Sequence, residues 1–386
     1  MISLSTLEKG KLTIMSYNIQ MLSIPFSIHL NSWMRRNAII EYINVLDDLY
    51  NIDILVLNEV FTKKSYELLT SGEIKKRFPY HTNVVGKKCK SNECHDDILY
   101  NEEKDTLSYI SRDSYKNEED TCFIMQNEND NEINIQKEKL IKNIDNKNKK
   151  DISNNIEFSN FDTITGNAKF YQFFNGGVLV LSKHKILQKH ALIYSCSTFP
   201  DMFCSKGAIY LKCEVNDKRI NIIATHLQAG DKIKQQNSRM KQLNELSKWV
   251  YEGIPSHFIK KYEPLFFVGD LNIRYDVDKL YLEKVLSKTY LNSHVTKRSL
   301  ETTFDSFLND YCRYIENDYT YKYKYTLDYI LVSNDSNIKI IVPQTAIQDN
   351  FRSLLFIKFF WGFIPYKTTY IHHPSDHFPI YATFQI

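Results

Sequence analysis

The sequence predicts an α/β fold in which a largely antiparallel core of two sheets is covered by helices on the outside. Short apolar runs of strand length outnumber the helical segments, and several runs follow one another with only a turn between them. Two longer segments carry apolar residues at helical spacing. A wound βαβ sheet would instead alternate strands and helices along the chain.

The first part of the chain reads as strand, helix, strand. A strand over residues 12–17 precedes a helix over residues 35–50, in which Ile39 and Ile43 belong to an apolar stripe with helical spacing. Residues 53–60 follow as a short apolar strand of the kind that is buried on both faces. We therefore expect the helix to cover the sheet that the two strands share.

A polar segment then interrupts the pattern. Residues 87–161 consist mainly of Lys, Asn, Asp and Glu with little periodicity, and such a segment cannot bury enough apolar surface to order itself. We interpret it as a disordered insertion in a surface loop, with a binding tail as the alternative. The prediction is a single catalytic domain over residues 1–386, interrupted by this insertion.

The pattern of ordered elements resumes after the insertion. A helix is predicted over residues 234–250, and Asn216-Asp217 forms a turn between two strands. The predicted strands cover residues 178–181, 207–215, 219–225, 265–269, 326–332 and 378–384.

The overall composition narrows the function classes. The formal net charge of +3 over 386 residues argues against a dedicated binder of polyanions, and no nucleic-acid partner is expected. The N-terminus lacks the basic start and apolar core of a signal peptide, and no apolar stretch is long enough for a transmembrane helix. We expect a soluble chain that binds one membrane face peripherally, on the cytosolic side, without an obligate protein partner.

Six apolar runs end at, or begin from, a polar residue of the kind that binds a metal or moves a proton. Buried strands with such residues at their ends build one site on the rim of a sheet, and this pattern predicts a metal-dependent hydrolase. The residues are Asn18, Glu59, His226, Asp270 with Asn272, Asp328, and Asp376 with His377.

The spacing and chemistry of these residues suit phosphoester hydrolysis. Asp270 and Asn272 are two apart, so in an extended chain they face the same way and offer oxygen ligands to a hard cation such as Mg²⁺. His226 and His377 are suited to proton transfer near neutral pH, and Asp328 is a candidate to orient an imidazole. The alternatives are an ordinary turn at Asp270 and hydrogen-bonded structural histidines.

Taken in order, the motifs resemble the endonuclease/exonuclease/phosphatase superfamily, and within it the neutral sphingomyelinases. Any one motif is weak, but the ordered set spans the whole chain except the polar insertion. The motifs are Ser16-Tyr17-Asn18, Asn58-Glu59-Val60-Phe61, Gly176-Gly177-Val178, Thr225-His226-Leu227-Gln228-Ala229, Gly269-Asp270-Leu271-Asn272, Leu327-Asp328-Tyr329 and Ser375-Asp376-His377.

The resemblance implies a four-layered α/β/β/α sandwich with two mostly antiparallel sheets. It also implies Mg²⁺-dependent cleavage of sphingomyelin to ceramide and phosphocholine, with Mn²⁺ or Co²⁺ as substitutes for Mg²⁺. Lysocholine phospholipids are further candidate substrates. The alternatives are a nuclease or a phosphoinositide phosphatase with the same metal centre, or a catalytically inactive membrane-binding module that retains the fold.

The resemblance also implies a set of metal ligands. Glu59 would be the principal ligand, and Asp376 would support the metal shell. Asn18, Asp270 and Asn272 would bind metal or phosphate.

Catalytic roles are carried over in the same way. His377 would be the general base or a ligand of a second ion, with Asp328 orienting it. His226 would stabilise the phosphoryl group or protonate the leaving alkoxide, and Lys206 would face the phosphate. The sequence leaves open which histidine is the base. Asn175 departs from the pattern of bacterial relatives, which carry an acid before the glycine pair.

An aromatic segment over residues 354–364 precedes the Ser-Asp-His motif. It is too short to span a bilayer, and its aromatic residues suit a membrane interface. Similar sphingomyelinases carry an aromatic hairpin at this point, so we predict membrane contact through Phe359, Phe360, Trp361 and Phe363. The alternative is a buried core strand or helix.

Overall fold

Two six-stranded sheets dominate the fold. The structure is a computed structural model and describes residues 10–21, 32–86, 161–275, 301–333, 338–360 and 364–386. The described residues fall in one compact unit formed by residues 1–94 and 159–386, and a second unit, residues 95–158, lies outside them. Almost all of the predicted insertion is therefore outside the described residues, and its disorder stays a prediction.

The described helices and strands are numbered here in chain order. The helices are α1 (Ser32–Tyr50), α2 (Lys63–Leu69), α3 (Gly72–Arg77), α4 (Ile233–Glu252) and α5 (Asp310–Glu316). The strands are β1 (Lys11–Asn18), β2 (Ile54–Asn58), β3 (Tyr80–His81), β4 (Thr163–Thr165), β5 (Leu179–Ser182), β6 (Ile186–Ile193), β7 (Gly207–Val215), β8 (Lys218–His226), β9 (Leu265–Asp270), β10 (Phe304–Asp305), β11 (Lys324–Tyr325), β12 (Asp328–Val332), β13 (Lys339–Ala346), β14 (Leu354–Phe360), β15 (Ile364–Ile371) and β16 (Ile380–Gln385).

The two large sheets have related strand orders. The first runs β13-β16-β1-β2-β5-β3 and the second β12-β9-β8-β7-β6-β4. Within each sheet one parallel pair lies near the centre, β1–β2 in the first and β8–β9 in the second. The remaining described pairs in these sheets are antiparallel except β4–β6. The mostly antiparallel arrangement that the sequence predicts is thus present, and both sheets are mixed.

The sheets stack face to face with helices on both outer sides. Alternate residues of β1 explain the layering, because Ile14 belongs to the core between the sheets whereas Met15 points to the outer face. Ile43 of α1 packs on that outer face of the first sheet. Leu246 and Trp249 of α4 cover the outer face of the second sheet. The four-layered α/β/β/α sandwich is confirmed.

Most predicted elements are present with small shifts at their ends. The turn between β7 and β8 uses Asn216 and Asp217 with φ of 49° and 61°, the left-handed pair that a two-residue hairpin requires. Sequence reasoning missed the longer strands β6 and β13, the short strands β3, β4, β10 and β11, and the short helices α2, α3 and α5. β13 carries two register shifts and is mostly half-exposed, so it lacks the apolar run expected of a core strand.

Strands β14 and β15 form a separate two-stranded hairpin. Its base is buried, with Phe356 and Ile371 packed against Tyr311 of α5 and Ala38 of α1, whereas Leu355 and Tyr370 are exposed. The predicted membrane contacts Trp361 and Phe363 lie outside the described residues, as do the side chains of Phe359 and Phe360. Among the described residues, no helix is long and apolar enough to cross a membrane.

Candidate active site

The candidate site lies where the ends of the central parallel strands of the two sheets meet. In the first sheet the register pairs Asn18 with Asn58, and in the second it pairs His226 with Asp270. Asp328 begins β12 directly opposite Asp270. Parallel strands deliver their final residues to the same edge of a sheet, so each sheet contributes polar groups to one place.

Asn18 connects the two halves of the site. Its side-chain amide donates one hydrogen bond to Glu59 Oε1 and another to Asp270 Oδ2, both at 3.0 Å. Its own Oδ1 accepts the backbone N–H of Gln20, which fixes the orientation of the amide. The structure therefore brings Asn18, Glu59 and Asp270 together, as the strand-end pattern predicts.

Glu59 sits on a tightly packed turn after β2. Its φ of 64° is unusual for a residue other than glycine, and the backbone of Gly177 passes directly over it. A Cβ on Gly177 would lie 3.1 Å from Glu59 Cα and 2.8 Å from the ring of Phe61. Burial, and then the charge of Asp376, raise the pKa of Glu59 to about 7.

His377 and Asp328 form a buried pair. His377 Nδ1 lies 2.8 Å from Asp328 Oδ2, which leaves Nε2 directed towards Asp270, 3.9 Å away. Thr303 supports the pair, because its hydroxyl accepts the backbone N–H of Asp328. Burial alone would lower the pKa of His377, but the charge and hydrogen bond of Asp328 outweigh it and raise the pKa to about 10.

His226 has a different environment. Lys206 Nζ lies 3.1 Å from His226 Nε2. Because an ammonium can only donate, His226 Nε2 accepts this hydrogen bond, and the neutral imidazole carries its hydrogen on Nδ1. Burial, and then the positive charge of Lys206, lower the pKa of His226 well below its ordinary value. His226 Nε2 also lies 3.6 Å from Asp270 Oδ2, which places the ring within the site.

Lys206 is more constrained than the sequence suggests. Besides His226, its ammonium contacts Asp201 Oδ2 at 2.6 Å and the carbonyl of Leu227 at 2.8 Å. Three acceptors thus surround three N–H groups. The predicted direct contact with phosphate stays a prediction, and it requires the exchange of one of these acceptors.

Two further predicted residues lie at the edge of this group. The backbone N–H of Asn272 donates to Asp270 Oδ1 at 2.8 Å, and its side-chain amide donates to the carbonyl of Leu227 at 3.2 Å. Asp376 is buried and accepts from the hydroxyl of Ser375 at 3.2 Å, and its charge acts on Glu59. Their assigned roles in binding metal or phosphate stay predictions.

The connection from β15 to β16, which carries His377, is anchored at almost every residue. Asp310 bonds to the backbone N–H groups and the rings of both His372 and His373. Asn309 donates to the carbonyl of Ser375, whose hydroxyl in turn donates to the carbonyl of Asn18 at 2.6 Å.

Arg35 holds the same connection from the other side, and sequence reasoning missed it. It is fully buried in α1, and its guanidinium donates to the carbonyls of Pro374, Ile19 and Gln20 while lying over the ring of Tyr311. The position of Arg35 in the helix is the signal that could have predicted its burial. Arg35 is four residues before Ile39, so it falls on the buried stripe of the helix.

The charges of the site fit a divalent cation. Burial, and then the charge of Asp328, raise the pKa of Asp270 to about 6, and Asp328 Oδ1 is a buried oxygen without a hydrogen-bond partner among the described residues. Asp270, Asp328 and His377 offer ligand atoms within 4.8 Å of one another. Oxygen donors with one imidazole suit a hard divalent cation, which would relieve this excess of negative charge.

Comparison with known sequences identifies relatives over nearly the whole chain. The sphingomyelinase C of Bacillus cereus is 24% identical over 98% of this chain and 90% of its own length. The sphingomyelinase C 2 of Leptospira interrogans is 29% identical over 58% of this chain and 33% of its own length.

Solved structures share the fold. The beta toxin of Staphylococcus aureus, solved as a mutant with bound magnesium ions, has a TM-score of 0.65 at 20% identity and covers 96% of this chain and 99% of its own. The sphingomyelinase C of Streptomyces griseocarneus has a TM-score of 0.64 at 19% identity, with 97% and 99% covered. The family model for endonuclease/exonuclease/phosphatase family 2 matches residues 177–383, more than half of the chain. The chain therefore belongs to the endonuclease/exonuclease/phosphatase family.

Proposed function

We propose that this protein is a magnesium-dependent phosphodiesterase of the phospholipase C type, which cleaves sphingomyelin to ceramide and phosphocholine. Lysocholine phospholipids are further proposed substrates, and Mn²⁺ or Co²⁺ are proposed substitutes for Mg²⁺. The similarity to sphingomyelinase C over 98% of the chain supports the substrate class. Nucleases and phosphoinositide phosphatases share this metal centre, so the centre alone does not choose among the three.

The observation that carries the proposal is the single hydrogen-bonded group formed by Asn18, Glu59 and Asp270 beside two histidines of opposite character. Burial and Lys206 favour the neutral form of His226, whereas Asp328 favours the charged form of His377. Environments that push the pKa values of two histidines apart are typical of acid–base catalysis.

The geometry supports a separate catalytic role for each of these residues. In its neutral form, His377 accepts a proton from water at Nε2 while Asp328 holds its Nδ1–H in place. The water oxygen attacks phosphorus, and the bond from phosphorus to the ceramide oxygen breaks. The ceramide oxygen takes up a proton from solvent, and His377 later releases its proton to solvent. The charge on the phosphoryl oxygens is met by the Lys206–His226 pair once Lys206 exchanges one of its present acceptors for phosphate.

We propose Glu59 and Asp270, which Asn18 connects, as ligands of the cation, with the Asp328–His377 pair beside Asp270. When bound, a divalent cation supplies charge neutralisation at the phosphoryl oxygens and lowers the pKa of a coordinated water. Calorimetric titration with Mg²⁺ should show binding to the wild-type protein and weakened binding to Glu59→Gln. This measurement does not depend on turnover.

Peripheral membrane contact through the β14–β15 hairpin is part of the proposal, as is the cytosolic face. The buried base of the hairpin on α1 and α5 and the exposed Leu355 and Tyr370 support a projecting element. Burying even three large apolar side chains at roughly 1.5–3 kcal/mol each would give reversible adhesion. Replacing Phe360 and Trp361 by Ala should lower vesicle binding and lipid hydrolysis but spare a soluble phosphodiester. Equal losses on both substrates would instead indicate a role in folding.

A substrate panel tests the central proposal. Sphingomyelin, lysophosphatidylcholine, phosphatidylcholine, inositol lipids and abasic DNA are each incubated with the full chain, with and without Mg²⁺. We expect release of phosphocholine from sphingomyelin only when Mg²⁺ is present. Nicking of abasic DNA or release of inorganic phosphate from inositol lipids, without phosphocholine release, would overturn the proposal in favour of the corresponding relative.

A further inference from the structure

A wall of aromatic rings stands directly beside His377. The centroid of the Phe304 ring lies 5.1 Å from that of the imidazole. Tyr323 meets Phe304 edge-on at 5.7 Å, and Tyr325 stacks on it at 6.4 Å. All three rings are partly exposed, so they do not belong to a sealed hydrophobic core. A solvent-accessible aromatic surface next to the proposed catalytic base indicates a role in binding as well as in packing.

The backbone holds Phe304 at a fixed place relative to His377. The two residues form an antiparallel bridge, and the N–H of Phe378 donates to the carbonyl of Thr303 at 2.8 Å. The hydroxyl of Thr303 accepts the N–H of Asp328, and Phe304 pairs with Tyr325 between β10 and β11. The Phe304 ring is therefore positioned together with the His377–Asp328 pair, as a ligand-binding surface must be.

One of these rings already contacts a weakly hydrated cation, the guanidinium of Arg274. The guanidinium carbon of Arg274 lies 3.9 Å from the centroid of Tyr325, so one face of that ring is occupied. Glu316 accepts a hydrogen bond from the Tyr323 hydroxyl, so a carboxyl group lies at the edge of the same wall. An aromatic surface with a carboxylate at its edge favours a cation over a neutral group.

We infer that Phe304 and Tyr323, backed by Tyr325 and Glu316, bind the quaternary ammonium of the choline headgroup. The inference rests on the proposed function and names the residues that select its headgroup. A phosphate bound beside His377 carries its ammonium on a two-carbon arm, and the Phe304 ring lies directly next to His377. A quaternary ammonium donates no hydrogen bonds, so ring faces are its natural partners.

This arrangement predicts selectivity between headgroups. A primary ammonium is strongly hydrated and requires hydrogen-bond acceptors, which rings do not supply well. We therefore expect a preference for choline over ethanolamine esters. An aromatic contact with a cation is worth about 0.5–2 kcal/mol, so the loss of one ring should reduce the preference by about 2- to 30-fold.

The test compares sphingomyelin with ceramide phosphoethanolamine in mixed micelles containing Mg²⁺. The ratio of the two kcat/KM values is measured for the wild type, Phe304→Leu and Phe304→Tyr. We expect the ratio to fall about tenfold in Phe304→Leu and to be kept in Phe304→Tyr, which retains the ring. Tyr262→Leu removes an exposed ring on the surface and serves as the matched control. An unchanged ratio in Phe304→Leu, with both substrates slowed equally, would overturn the inference.

A binding measurement separates this inference from the proposed function. Calorimetry with phosphocholine and with phosphoethanolamine, in the presence of Mg²⁺, needs no turnover. Tighter binding of phosphocholine that is lost in Phe304→Leu supports the aromatic site even if no lipid in the panel is hydrolysed. Equal binding of the two compounds to the wild type rejects it even if sphingomyelin is cleaved. Thermal unfolding of each variant shows that the comparison is made on folded protein.

Discussion

Asn18 and Asp270 are 252 residues apart in the chain, yet the amide of Asn18 donates to the carboxylate of Asp270 at 3.0 Å. The bond joins the last residue of β1 in one sheet to the last residue of β9 in the other. Because the same amide also donates to Glu59, Asn18 holds two carboxylates close together against their mutual repulsion.

Replacing Asn18 should therefore affect catalysis strongly. Asn18→Ala removes both donors and lets the two carboxylates move apart, so we expect kcat to fall by about 10²-fold. Steady-state hydrolysis of sphingomyelin measures the effect. Asn37→Ala, on an exposed position of α1, is the matched control and should retain activity. A loss below about tenfold in Asn18→Ala would show that the bridge is dispensable.

The His377–Asp328 pair makes a prediction about titration. The carboxylate is what raises the pKa of His377 above its ordinary value, since burial alone acts in the opposite direction. Asp328→Asn should thus lower the pH at which His377 loses its proton, and it should reduce kcat by about 10²-fold or more. Imidazole NMR signals of the protein in EDTA report the titration. An unchanged His377 titration would mean that Asp328 does not control the imidazole.

Arg35 should be important for stability. Arg35→Met leaves the buried carbonyls of Ile19, Gln20 and Pro374 without their donor, so we expect the free energy of unfolding to fall by about 3 kcal/mol or more. Arg352→Met breaks an exposed ion pair with Glu41 and a contact with the Phe351 ring, and should cost about 1 kcal/mol or less. Urea denaturation measures both. Equal costs would contradict the assigned role of Arg35.

His190 gives a dependence of stability on pH. Burial lowers the pKa of His190 to about 4 in the folded chain. At a pH between this value and the ordinary histidine pKa, His190 is therefore protonated in the unfolded chain but neutral in the folded chain. Stability should therefore fall as the pH drops from about 6.5 to about 4. His190→Gln should remove about 1–2 kcal/mol of the loss between pH 7 and pH 5. His257→Gln replaces an exposed histidine and serves as the matched control. The same slope in wild type and His190→Gln would refute the assignment.

The sequence predicted secondary structure best where one apolar periodicity extends through a whole helix or strand. The apolar stripe of α1 and the strand ends at Asn18 and Asp270 could be read directly, because burial on one face and polarity at the end leave a local signature. β13 could not be read, because its bulges break the alternation.

Partners that depend on tertiary packing were also out of reach. The acceptors that surround Lys206 come from Asp201 and from Leu227, and nothing local marks them as a set. The aromatic wall at Phe304 is similar, since Phe304 and Tyr325 belong to strands of only two residues each and Tyr323 lies just before the second of them. Arg35 was readable in principle, but a charged residue at the start of a helix is ordinarily assigned to solvent.

The anchored connection between β15 and β16 has a mechanical consequence. Asp310, Arg35 and Asn309 clamp the backbone between the hairpin and His377, so this stretch contains no slack that could absorb a displacement. We therefore expect a displacement at the base of the hairpin to be transmitted to the imidazole of His377. Contact of the hairpin with a surface should therefore change the position of His377 within the site.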